Sequence, residues 1–160
     1  MTGMTLIVKT ITRWVMVFIF LYGAYITLTG HLTPGGGFAG GVIIACSYIL
    51  LTLAYGKQFA LRRLSVRTAS RLDSTGALLF LAIGLFGIWF GGTFFVNFLQ
   101  RMFPGREFRL VSSGMIPLIN IAICLKVSVS LFLAFIIMAV LRIETAGDGT
   151  RTMVQKEEEE

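Results

Sequence analysis

Four long apolar runs decide what this 160-residue chain can become. They lie at about residues 10–29, 38–55, 74–98 and 115–141. A helix needs about 20 apolar residues to cross roughly 30 Å of hydrocarbon. In lipid every backbone polar group must be satisfied within the segment, which favours helices. The runs also exceed the roughly 9–11 residues of a barrel strand. The third run holds no Lys, Arg, Asp or Glu, and the fourth holds one charge, Lys126. The expected fold is therefore all-α, a polytopic membrane protein with four transmembrane helices. They form a single domain over residues 1–145, followed by a disordered acidic tail over 146–160 that ends in Glu157–Glu160.

Composition points the same way. Apolar residues make up 56% of the chain and charged residues 14%, against about 25% charged in soluble domains. Mean hydropathy is +0.83. A soluble globule of this size still exposes much of its chain to water. These figures exclude a soluble enzyme, a disordered chain and a disulfide scaffold. Lys9 and Arg13 precede the first run as they would in a signal peptide. The run is too long for one, however, and a Gly-rich turn with a Pro follows it instead of a small-residue cleavage site. It reads as a retained helix.

Charge placement gives an orientation. With four spans, the termini and the second loop share a side, which holds ten of the 14 Lys and Arg residues. Only Arg101, Arg106 and Arg109 fall on the other side. The positive-inside rule then makes both termini cytoplasmic. The net charge of +6 fits anionic lipid, not nucleic acid. In the loop of about residues 56–73, the Leu61, Leu64 and Arg spacing suits either a short amphipathic helix at the headgroups or a plain basic loop. Residues 100–114 read as a polar loop on the other side.

No catalytic residues, cofactor or metal site are expected. There is no nucleophile motif, phosphate loop, paired carboxylate or metal-ligand spacing. Cys46 and Cys124 lie inside apolar runs, where a thiol behaves as a small hydrophobe.

Two features carry a message. The first is the hairpin from Gly30 to Gly41, in which six of twelve residues are Gly. Pro34 cannot continue the first helix. Gly35, Gly36, Gly37, Gly40 and Gly41 exceed what a tight turn needs. Gly37, Gly41 and Ala45, and separately Gly36 and Gly40, recur every four residues, a spacing that lets helices approach closely. A helix N-terminus beside an ion path is the second reading of the same glycines. His31, at the end of the first span, is a candidate proton relay or an interfacial hydrogen-bonding group.

The second feature is Lys126 near the middle of the fourth span. A charge there is costly, and marks either a site on a proton or ion path or one half of a static structural ion pair with a carboxylate. Its face holds Ile119, Ala122, Ser130, Leu133 and Ala134, and reads as turned toward protein. Spans one to three contain no Asp or Glu, so its counter-ion is expected on another subunit or replaced by water. Pro117 is expected to kink the helix, and Asn120 to bond across helices. Ala77, Gly84, Gly87 and Gly91 read as a helix–helix seam on the third span. Lys126, His31 and Asn120 are thus the ion-path candidates. The chain shows no internal repeat, and four spans are few for a transporter acting alone.

The string Gly30-His31-x-x-Pro34-Gly35-Gly36-Gly37-Phe38-x-Gly40-Gly41 resembles the signature of the MnhB/MrpB-like subunits of the multisubunit Na+/H+ antiporters, the Mrp or Mnh type. Ile116-Pro117-Leu118-x-Asn120-Ile121-x-Ile123-x-Leu125-Lys126-Val127 resembles that family's last helix. The likeness covers about residues 7–143. It implies a small all-helical subunit in the cytoplasmic membrane of a bacterium or archaeon. Such a subunit sits beside large antiporter-like subunits and other small ones, and helps form a path for Na+ or H+. The resemblance extends to subunits of membrane-bound hydrogenases, sulfur reductases and formate hydrogenlyases. A third reading is an assembly scaffold with no residue in the path.

Overall fold

A computed structural model describes residues 4–102, 113–145 and 151–155. Its helices are α1 (Leu6–Leu28), α2 (Gly36–Tyr55), α3 (Lys57–Arg63), α4 (Val66–Gly91), α5 (Phe98–Met102) and α6 (Ile116–Val140). Two strands follow, β1 (Leu141–Thr145) and β2 (Arg151–Gln155). Among the described residues, α1, α2, α4 and α6 are the helices long and apolar enough to cross a membrane. The chain is a multi-pass, all-α membrane fold with a short ribbon appended.

The packing order is not the sequence order. α2 and α6 form the centre, α1 lies against α2, and α4 lies against α6. Small residues set these approaches. A β-carbon on Gly40 would overlap the Thr27 hydroxyl of α1, and one on Gly23 would stand 2.8 Å from Ile44 of α2. On the next face, a β-carbon on Gly41 would stand 2.9 Å from the Cys124 carbonyl of α6. Ala45, one turn on, is buried. Of the two stripes read from the sequence, Gly37 and Gly41 meet α6, whereas the other divides, with Gly40 against α1 and Gly36 beside Asn120 of α6.

The Leu61 and Leu64 pattern produces a real helix. Ala60 of α3 is fully buried against Phe132 and Ile136 of α6, with Tyr48, Leu61, Leu64 and Phe135 around them. Arg62 and Arg63 remain exposed. At the same end the Tyr55 hydroxyl donates to the Lys9 carbonyl at 2.9 Å, which ties α2 to the start of α1.

The third span differs most from expectation. It begins at Val66, eight residues before the apolar run, because the Ser65 hydroxyl caps it by accepting from the Thr68 N–H at 3.2 Å. It ends at Gly91, where Gly92 takes a left-handed conformation (φ 79°). The chain then folds back. β-carbons on Gly84, Gly87 and Gly91 would press on Phe94, Phe95 and Val96 of that return segment. These three glycines therefore pack against their own chain and not against another span, and Ala77 is exposed.

Pro117 also departs from expectation. It is the second residue of α6, a first-turn position where the missing N–H costs no hydrogen bond. It starts the helix instead of kinking it. Asn97 fixes that start. Its amide donates to the Ser113 carbonyl at 2.9 Å, and its oxygen accepts from the Met115 N–H at 3.1 Å.

At the C-terminus, Arg151–Gln155 pairs antiparallel with Leu141–Thr145, from Leu141 opposite Gln155 to Thr145 opposite Arg151. Of the two strands, Arg151–Gln155 falls within the 146–160 tail that the sequence reads as disordered. Both alternate β-branched residues (Ile143, Thr145, Thr152, Val154) in the manner that favours strands. Residues 103–112, with Arg106 and Arg109, and the Glu157–Glu160 end lie outside the described residues.

Candidate functional site

Lys126 sits ten residues into α6, about 15 Å along the helix. Its ammonium donates to Asp73 Oδ2 of α4 at 2.5 Å. The Ser130 hydroxyl, one turn along α6, donates to Asp73 Oδ1. One carboxylate thus holds two side chains of the neighbouring span, with each oxygen occupied. The counter-ion of Lys126 is therefore within this chain, and the expectation of a partner's carboxylate or water is corrected. The physical reason is the Ser65 cap: it extends α4 toward its N-terminus and brings Asp73 inside the helix. Asp73 stands one residue before the apolar run and reads as a loop residue in hydropathy. The serine cap was the signal that could have found it.

Gly76 makes the pair possible. A β-carbon there would stand 2.9 Å from the Lys126 backbone nitrogen and 3.1 Å from its Cα. The two helices touch backbone to backbone, one turn from Asp73. The pair is not sealed within the chain: the Lys126 side chain is 42% exposed and that of Asp73 23%. Of the face predicted to turn inward, Ala122 is buried, Ile119, Ser130 and Leu133 are half-buried, and Ala134 is exposed.

The glycine hairpin forms a second, separate cluster. Gly35 and Gly36 carry φ values of 127° and 60°, which side-chain-bearing residues rarely adopt. This sharp turn lays Gly30, Gly36 and Gly37 around Asn120. A β-carbon on Gly37 would overlap the Asn120 carbonyl, and one on Gly30 would stand 2.8 Å from the Asn120 amide nitrogen. Asn120 is 9% exposed. It faces the hairpin, but its amide nitrogen is buried without a hydrogen-bond partner, so the bond across helices expected of it is not formed. His31 is half-buried in the turn after α1, while Pro34 and Phe38 face outward.

The three ion-path candidates are therefore not brought to one point. Asn120 and His31 belong to the hairpin end and Lys126 to the α4–α6 contact. Along α6, Asn120 and Lys126 are about 9 Å and about 120° apart. Among the described residues no group of three or more His, Cys, Asp or Glu is arranged to hold a metal ion. What the α4–α6 cluster offers chemically is a hydrogen-bonded acid–base pair between two apolar helices, with a hydroxyl on the second carboxylate oxygen.

Comparison with known proteins gives a consistent picture. Residues 7–133 match a family described as a domain related to the MnhB subunit of Na+/H+ antiporters. The corresponding Na+/H+ antiporter subunit of Bacillus subtilis is 37% identical over 92 residues, 58% of this chain and 64% of that protein. An uncharacterized protein of Methanocaldococcus jannaschii is 34% identical over 139 residues, 84% of this chain and 52% of that one. Among solved structures, a chain of the membrane-bound sulfane sulfur reductase, an archaeal respiratory membrane complex, superposes with a TM-score of 0.71 at 32% identity. That match covers 84% of this chain and 57% of the other. The chain thus spans between about half and two thirds of the length of the proteins it matches.

Proposed function

Since this chain belongs to the family of domains related to the MnhB subunit of Na+/H+ antiporters, we propose that it serves as a small membrane subunit of a multisubunit Na+/H+ antiporter or a related ion-translocating module. It contributes to a Na+ or H+ path and to helix packing, and performs no catalysis of its own. Its partners are large antiporter-like subunits and other small membrane subunits. The chain resides in the cytoplasmic membrane with both termini on the cytoplasmic side, a placement that the distribution of Lys and Arg supports.

The observation that carries this reading is the Lys126–Asp73 ion pair joining two of the helices long and apolar enough to cross a membrane. Ionisable residues inside a span are expensive and mark ion or proton pathways. A scaffold needs only the glycine contacts. A charged pair that a leucine could replace in packing asks for a role in moving charge.

A second reading has one observation behind it. The similarity to a chain of an archaeal sulfane sulfur reductase complex suits a membrane arm driven by a redox module. Both readings are tested by gentle extraction, separation at native size and mass spectrometry of the co-purifying chains. Antiporter-like subunits alone support the antiporter. The same subunits with iron–sulfur or nickel–iron chains support the redox-driven arm. Recovery of this chain alone, intact and monodisperse, contradicts both.

A further inference from the structure

We propose that the outer side of the α4–α6 contact, centred on Lys126 and Asp73, is the docking surface for a transmembrane helix of another subunit, and that this helix brings an uncharged hydrogen-bond acceptor to Lys126. The proposal rests on the reading of this chain as a complex subunit and names the face by which it joins.

α4 is an edge helix. It packs against α6, and only 17% of its apolar window is buried within the chain. Lipid suffices to cover most of what remains, since Leu78, Leu85 and Trp89 are exposed and apolar. It does not suffice at Asp73 and Lys126. An ammonium has three N–H donors, and Asp73 takes one of them. With 42% of the Lys126 side chain uncovered, the remaining donors face hydrocarbon unless protein or trapped water meets them. Unsatisfied donors in hydrocarbon are costly.

Charge decides the partner's chemistry. Lys126 and Asp73 are neutral as a pair. A further carboxylate would leave a net negative charge in the bilayer, whereas a hydroxyl, a side-chain amide or a carbonyl freed by a helix break would not. Shape agrees. Ala77 lies one turn beyond Asp73 and Ala134 one turn beyond Ser130. Both are small and exposed, and small residues let helix backbones approach closely.

The test uses the whole complex in its native membrane, with a photo-reactive phenylalanine at position 77, at position 134, or at the exposed Phe18 of α1 as control. After illumination, assembly is read by native size and adducts by mass spectrometry. The expected result is a covalent adduct from 77 and 134 to a span of another subunit that carries Ser, Thr, Asn, Gln or a proline break at that level. A probe at 77 that blocks assembly while the probe at 18 does not supports the same face. Adducts to lipid alone, to a second copy of this chain, or to a span presenting Asp or Glu to the pair overturn the proposal within an intact complex. Absence of any complex in the unmodified strain overturns the proposed function, and the docking face falls with it.

Discussion

Gly76 of α4 rests directly on the backbone of Lys126 of α6, so close that a β-carbon would stand 2.9 Å from the Lys126 nitrogen. That contact sets the spacing at which Asp73, one turn away, reaches the ammonium. The neighbour is backbone and cannot rotate away, so added volume must separate the helices. Gly76→Leu is expected to cost about 1–3 kcal/mol as overpacking and to lower the yield of assembled complex, with Gly76→Ala intermediate. Native-size separation and the thermal midpoint of the purified complex measure this. Unchanged assembly in Gly76→Leu would contradict the backbone contact.

Breaking the pair should hurt more than removing it. Lys126→Met leaves Asp73 without its cation, and Asp73→Leu leaves the lysine without its anion. Stranding one partner of a buried pair costs up to about 3–5 kcal/mol, and less here because the side chains are 42% and 23% exposed. The double variant Asp73→Leu with Lys126→Met removes both charges and should assemble better than either single variant. Complex yield across this mutant cycle is the measurement. A double variant worse than both singles would contradict the pairing.

The hairpin glycines should rank by what a β-carbon meets. At Gly37 it overlaps the Asn120 carbonyl, whereas at Gly36 the nearest atom is 3.4 Å away and the strain is only conformational (φ 60°). Gly37→Ala should therefore destabilise more than Gly36→Ala, whose cost is about 1–2 kcal/mol for the left-handed conformation. Thermal unfolding of the two variants in detergent gives the order directly, and the reverse order would refute the placement of Asn120 against Gly37.

Pro117→Ala should be nearly silent. A first-turn proline gives up no helical hydrogen bond, so the change should stay within about 0.5 kcal/mol and leave transport intact. A marked loss of transport with normal assembly would show that a kink matters here.

Four spans were legible because hydropathy and length alone impose them. The glycine hairpin was legible because its repeat of four matches a helix face, although the sequence did not say that Gly40 would meet α1 while Gly36, Gly37 and Gly41 meet α6. The polar core of the site was half legible. Lys126 and Ser130 stand on one face of one run, but Asp73 precedes the third run and reads as a loop residue. Only the Ser65 cap, whose geometry depends on the backbone, draws it into the helix. Gly84, Gly87 and Gly91 were legible as close contacts but not in their partner, because the return of the chain at Gly92 depends on a left-handed residue that periodicity does not encode.

Na+/H+ exchange in vesicles that hold the assembled complex, comparing the native chain with the Asp73→Leu, Lys126→Met double variant at matched complex content, decides whether the pair lies on the ion path. If it does, the complex assembles and its exchange is lost. Native exchange rates in that assembled complex would show the pair to be structural, and would contradict the claim that this chain helps to carry the ions.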